Sequence, residues 1–323
     1  MATSPQSADR WARAIFRLIA LRLAVFAGTV FLIVTLGFLC LYRLPGDPAR
    51  MILGRQASTE AVLAFRASAG LDQPIYIQYT RFLRRIATAR FGDSLAQHRP
   101  VAALVLDRLP VSAKLTIGSL LIVLLIGFLL PPFLFLGRSM APVSAVETLT
   151  SALGITPPYV LGVLAIAIFA GALEWIGAIF DPGSFRSWLF PCCVLAAYPT
   201  AVVLRLFTQE IRQSLGSAYA LRARSLGFSR KYLVFREAVP NSLASATGAL
   251  GNAVAGFITG SFFVEAIFGI PGVGQLTYQA IQNNDIPLLA ALCILFAGSV
   301  SLIANAIEVL RFVVNRRVRL NAG

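Results

Sequence analysis

Long uncharged apolar runs alternate with short charged segments along this chain. Leu23 to Tyr42 contains no charge and is closed by Arg22 and Arg43. At 1.5 Å per residue, such a helix crosses about 30 Å of hydrocarbon. The run is too long for a signal-peptide core, and no small-residue cleavage site follows, so it reads as an uncleaved first span. Similar runs at Leu115–Leu136, Leu149–Leu173, Trp188–Leu204, Ser242–Phe263 and Pro287–Ile307 predict five more. The pattern predicts an all-α membrane protein with six transmembrane helices. Pro131–Pro132, Pro157–Pro158, Pro191 and Pro199 interrupt these runs or end them, either as packing kinks or as irregular backbone lining a cavity. Gly256 and Gly260, preceded by Gly248 and Gly251, predict a helix-packing face.

Two connecting segments carry structure of their own. Between the first and second runs, residues 43–114 form an insertion. Thr59 to Ala69 reads as a short helix capped by Thr59, and Gln78 to Ala89 as an amphipathic one. The segment is either a small cap or a docking surface. In residues 205–240, Ser217 to Gly227 reads as a helix, with Ser217 at its start and left-handed Gly227 at its end. Ser229 caps a second helix, Arg230 to Val239, which Pro240 stops. Tyr219 and Leu221 suit a pocket in another protein; a solvated basic loop is the alternative.

Composition agrees: 57% hydrophobic and 13% charged residues exclude an ordinary soluble domain. The net charge of +14 is a nucleic-acid signal only if it clusters, and it does not. Residues 1–22 carry a net +3, residues 205–237 a net +5, and residues 308–323 a net +3. Positive short loops stay in the cytoplasm, so both termini and the 205–240 loop are expected there. The opposite loops, 174–186 and 264–286, are net acidic. Segment 43–108 disagrees, with ten arginines against five acidic residues, at a length where the rule fades.

No G-x-x-x-x-G-K-[ST] phosphate loop occurs, and the only lysines are Lys114 and Lys231. His98 is the single histidine, which leaves no metal or Ser–His–Asp set, and catalytic and metal-ligating residues are none. Cys40, Cys192, Cys193 and Cys293 act as small apolar residues. The predicted spans hold almost no ionisable group, whereas ion-coupled carriers place one near the midplane. The chain reads as a conduit without an engine: either something else powers it, or it is a passive pore.

Tyr219-Ala-Leu-Arg-Ala-Arg-Ser-Leu-Gly-Phe-Ser229, followed by Arg236-Glu-Ala-Val-Pro-Asn241, resembles the cytoplasmic EAA loop of binding-protein-dependent ABC importer permeases. Leu44-Pro-Gly-Asp-Pro48, Gly70-Leu-Asp-Gln-Pro74, Phe91-Gly-Asp-Ser94, Arg108-Leu-Pro110, Phe263-Val-Glu265 and Pro271-Gly272 follow in the order of the dipeptide, oligopeptide and nickel branch. More narrowly, the chain is similar to the first permease of that branch. Ala218 and Leu226 stand where the family often has an acidic residue and a lysine, and Asn315-Arg316-Arg317 replaces Asp-Pro-Arg.

The resemblance implies a type I importer permease (MetI-like) fold in a bacterial inner membrane, with an extracytoplasmic insertion after the first span. Its expected divisions are a 1–22 tail, the 23–42 helix, the 43–114 insertion, a 115–307 core and a 308–323 tail. It implies a second homologous permease, two ATPase subunits holding ATP and Mg, and an external binding protein, with no cofactor in this chain and no nucleic acid. The coupling residues it implies are Tyr219, Ala220, Arg222, Ala223, Arg224, Gly227, Phe228, Ser229 and Pro240. Asn252, Thr259, Ser299 and Ser301 are translocation-path candidates. Asp93, Glu265, Pro271, Gly272 and Asp285 are candidates to face the binding protein. Di- or oligopeptides are the expected cargo, with nickel chelates and opines as alternatives. An ion-coupled carrier or channel acting alone, and a membrane enzyme, are the rival classes.

Overall fold

The computed structural model describes residues 5–43, 57–69, 72–88, 91–137, 139–175, 177 and 180–314. The Leu44–Pro48 motif, the tail from residue 315 and the side chain of Asn252 lie outside the described residues. Helix α1, Pro5–Arg43, precedes two short helices, α2 (Thr59–Ala69) and α3 (Ile75–Ala87). Ser58 and not Thr59 starts α2: its hydroxyl accepts the Ala61 N–H at 3.2 Å. Helices α4 (Val101–Leu134), α5 (Ala141–Ile155), α6 (Pro158–Ala172) and α7 (Phe185–Leu215) follow. Then come α8 (Ala218–Ser225), α9 (Val239–Phe268), α10 (Val273–Gln282) and α11 (Ile286–Val314).

Among the described residues, four helices are long and apolar enough to cross a membrane: α1, α4, α7 and α11. Two bent pairs supply the rest, α5 with α6 at 102° and the C-terminal part of α9 with α10 at 69°. Counting each pair as one span gives six. The expected span Leu149–Leu173 is therefore a bent pair, interrupted at Pro157–Pro158 as the sequence suggests. Thr156 precedes Pro157, whose ring excludes the helical conformation there, and Thr156 is extended at φ −79°, ψ 121°.

Other prolines are absorbed without a break. Pro131 and Pro132 follow a π turn at Leu125–Leu129 within α4. Pro240 follows another at Leu233–Ala238 and sits in the first turn of α9. It does not stop the helix as expected: the π turn just before it already interrupts the i→i−4 ladder, and the helix runs on through the proline. Pro191 and Pro199 lie inside α7.

Helix α7 is the central post and packs against α9, α4 and α5, while α1 pairs with α11 at the periphery. Three apolar clusters stack along the bundle. One joins Phe135, Val143, Phe207, Ile211, Leu233 and Val234 at the end bearing the α7–α9 loop. The middle one joins Leu115, Val123, Leu195, Phe257 and Val264. The far one joins Val101, Leu104, Leu276, Leu288 and Leu292. The expected glycine face is split. Added Cβ atoms would stand 2.8 Å from Leu195 Cδ1 at Gly260 and 2.4 Å from Ile307 Cγ2 at Gly251, whereas Gly256 faces open space.

Candidate functional site

The α7–α9 loop is held rigidly by backbone bonds. Ser217 occupies the N-cap position of α8, but its hydroxyl caps nothing and instead donates to the Ser214 carbonyl at 2.6 Å. Helix α7 ends only two residues earlier, so an orphan carbonyl lies closer than the α8 N–H groups. At the other end Gly227 has φ 84°, as expected from the sequence. Phe228 N–H donates to the Ala223 carbonyl at 3.2 Å and Gly227 N–H to the Arg224 carbonyl at 3.0 Å. This is the paired bonding of a Schellman cap. A Cβ at Gly227 would touch nothing, so backbone conformation and not crowding selects glycine here.

Beyond it, Ser229 accepts the Tyr232 N–H at 3.3 Å, the cap the sequence predicts. Phe228 stacks on Tyr232 with ring centroids 4.5 Å apart. Arg230 Nε donates to the Phe135 carbonyl at 2.5 Å, tying the loop to the end of α4. Arg212 and Glu147 pair at 2.8 Å and tie α7 to α5. Sequence reasoning missed both ties, because nothing local marks a partner so distant in the chain.

The expected loop residues divide by direction. Ala220 is buried against the bundle and so is closed to another protein, whereas Ala223 is partly buried and keeps part of its surface open. Arg222, Arg224, Gly227, Phe228, Ser229 and Pro240 are exposed. Tyr219 shares a hydrogen bond with Ser214 through its hydroxyl and leaves its ring exposed. Leu221 and Leu226 are exposed beside it. The loop thus presents a capped helix with apolar side chains and two arginines on its outer face.

At the opposite end the expected partner-facing carboxylates turn inward. Glu265 is fully buried, and its Oε2 accepts the Gly274 N–H at 2.6 Å and the Gln275 N–H at 3.4 Å. Asp285 is also fully buried; it accepts from Ser94 Oγ at 2.5 Å and from the Ala96 and Leu288 N–H groups at 3.3 Å each. Both carboxylates staple backbone turns, Asp285 through both oxygens and Glu265 through Oε2 alone, its Oε1 being buried without a hydrogen-bond partner. Gly272 is buried against Glu265 and Ser112, Pro271 is partly buried and accepts from Arg108 at 3.2 Å, and Asp93 is exposed.

Residues 134–320 match the family described as "Binding-protein-dependent transport system inner membrane component". Residues 15–116 match its N-terminal counterpart. The chain belongs to this family. It is an ABC importer permease of the inner membrane, a transport subunit and not an enzyme, and it works with other components of a binding-protein-dependent system. The chain is 32% identical over 306 residues to a dipeptide transport system permease protein from Lactococcus lactis subsp. cremoris, covering 93% of this chain and 98% of that protein. Glutathione transport system permease proteins of Salmonella paratyphi A and Escherichia coli K12 are each 29% identical over 292 residues, 90% of this chain and 95% of theirs.

The polar residues in the permease's candidate spans are placed unevenly. Thr259 is exposed on α9, in line with Gly256 and Phe263. Ser299 and Ser301 are partly buried on α11, where Asn305 Nδ2 donates to the Ser301 carbonyl at 2.8 Å and to its hydroxyl at 3.4 Å. Ser301 thus serves a bond within its own helix.

Proposed function

We propose that this permease crosses the membrane six times with both termini in the cytoplasm, passing di- or oligopeptides inward by alternating access. Basic end segments and a basic 205–240 loop support that orientation. Relatives named for dipeptide and glutathione transport support short peptides as cargo. A second, similar permease completes the path. The outward stripe Gly256, Thr259 and Phe263 on α9 suits that contact, because glycine admits close helix approach and Thr259 offers a polar wall. An external protein supplies substrate affinity. Two cytoplasmic ATPase subunits supply the energy and hold ATP and Mg.

The observation that carries the coupling role is the outer face of α8. Tyr219, Leu221, Leu226 and Phe228 are exposed around a helix fixed at its C-terminal end by the Schellman cap. ATP-driven closure of the ATPase pair would move this helix as one body with α9. The test is Gly227→Asp. Asp at positive φ costs about 1 kcal/mol, too little to unfold the bundle, but it places a charge on the docking face. The expected outcome is normal membrane insertion with loss of ATPase co-purification and of substrate-stimulated hydrolysis. Normal coupled transport in the variant would overturn the assignment. Peptide-dependent growth of a strain lacking the chain tests the cargo.

A further inference from the structure

Helix α3 combines a strong apolar stripe with a basic one. Ile75, Tyr79, Phe82, Leu83 and Ile86 recur at helical spacing on one side. Arg81, Arg84 and Arg85 stand at i, i+3 and i+4 on the other, and all three are exposed. Among the described residues no carboxylate pairs with any of them.

The position of α3 is fixed by α1. Thr35 and Tyr79 share a hydrogen bond at 2.6 Å. Phe38 meets Tyr79 at 5.2 Å and Phe82 at 5.4 Å between ring centroids. The uncharged run of α1 ends at Tyr42, before Arg43, and Leu32, Leu36 and Leu39 are exposed to whatever surrounds the bundle. Thr35 lies seven residues inside that end, about 10 Å along the axis. An interfacial helix sinks its apolar face about 5–10 Å below the headgroups. The contact therefore sets α3 at that depth, with Ile75 and Ile86 continuing its apolar face into the acyl boundary. Tyr76 is exposed at the level where aromatic rings gather.

We propose that α3 lies in the membrane surface beside the end of the first span and holds anionic phospholipid headgroups on Arg81, Arg84 and Arg85. The argument needs α1 to span the membrane and does not depend on its direction. It also gives a role to three of the ten arginines in residues 43–108, a segment whose basic excess opposes the usual distribution of charge. Guanidinium groups on flexible stems reach phosphate oxygens while the stems cover apolar surface.

The test uses the whole importer in phosphatidylcholine vesicles containing a small fraction of phosphatidylglycerol. A photo-reactive benzoylphenylalanine replaces Tyr76, and lipid cross-linked to α3 is read by mass spectrometry. Each arginine near an anionic surface is worth about fivefold in affinity, so the triple variant Arg81→Gln, Arg84→Gln, Arg85→Gln is expected to lose phosphatidylglycerol cross-linking by about 100-fold. The matching triple Arg→Lys variant is expected to retain it. Undiminished cross-linking in the glutamine variant overturns the proposal, as does loss in the lysine variant. Wild-type cross-linking to the substrate-binding protein in place of lipid also overturns it and assigns the basic face to that partner.

Discussion

Asp285→Ala removes a carboxylate that is fully enclosed and serves two segments at once. One oxygen receives Ser94 Oγ and the Ala96 N–H, and the other receives the Leu288 N–H in the first turn of α11. Loss of a helix cap costs about 1 kcal/mol. Each donor left unpaired in a buried site costs about 1–3 kcal/mol more, and Ser94 is 1% exposed. With Ser94 and Ala96 both left without their acceptor, the total is about 3–7 kcal/mol. At roughly 2 °C per kcal/mol for a chain of this size, the apparent Tm falls by about 6–14 °C. Asp285→Asn keeps one acceptor and turns a donor toward an N–H, so it should fall between the two. The assay is a thermal scan of the purified importer, read by the loss of its monodisperse chromatographic peak. An Asp285→Ala protein with unchanged Tm and weakened binding-protein docking would refute the reasoning, because the carboxylate would then face a partner and not the interior.

The Glu265 staple makes a graded prediction. A Cβ at Gly272 would stand 2.3 Å from Glu265 Oε2, a side-chain atom, whereas one at Gly274 would stand 2.6 Å from the Phe262 Cα, which is backbone. Gly274→Ala should therefore destabilise more than Gly272→Ala, by about 1–3 kcal/mol beyond it, in the same thermal scan. Ser229→Ala removes the cap over Tyr232 N–H and should cost about 1 kcal/mol. Its expected sign is faster proteolysis near Arg230 in membrane vesicles, with insertion unchanged.

The apolar runs were legible because a span needs about 20 unbroken residues and little else in a sequence does. Gly227 was legible for a related reason: a left-handed helix end favours a residue without Cβ, and the following Ser229 marks the next start. What escaped was decided by long-range packing. Glu265 and Asp285 looked like surface acids because their donors, Gly274 and Ser94, are recognised as partners only once the chain is folded. Pro240 looked like a stop, yet its place one turn into α9, after a π turn, makes it a permitted residue. Ala223 looked like a contact surface, although the rotation of α8 turns it toward the core. Pro157–Pro158 marked the interruption of the third run in the sequence, but the size of the bend, 102°, is set by how the two halves pack and cannot be read from the prolines themselves.

The absence of a stop at Pro240 has a mechanical consequence. From Arg230 to Phe268 the backbone is helical throughout, a rod of about 58 Å. One end is clamped to α4 by Arg230, and the other runs into Gly269 and the Glu265 staple. No non-helical linker separates the loop from the far face, about a membrane thickness away, so the two ends are joined by continuous helical backbone. The π turn at Leu233–Ala238 and Pro240, both next to the loop, are the places where that backbone bends most readily, so a push on the loop meets its hinge at the near end and not in the middle.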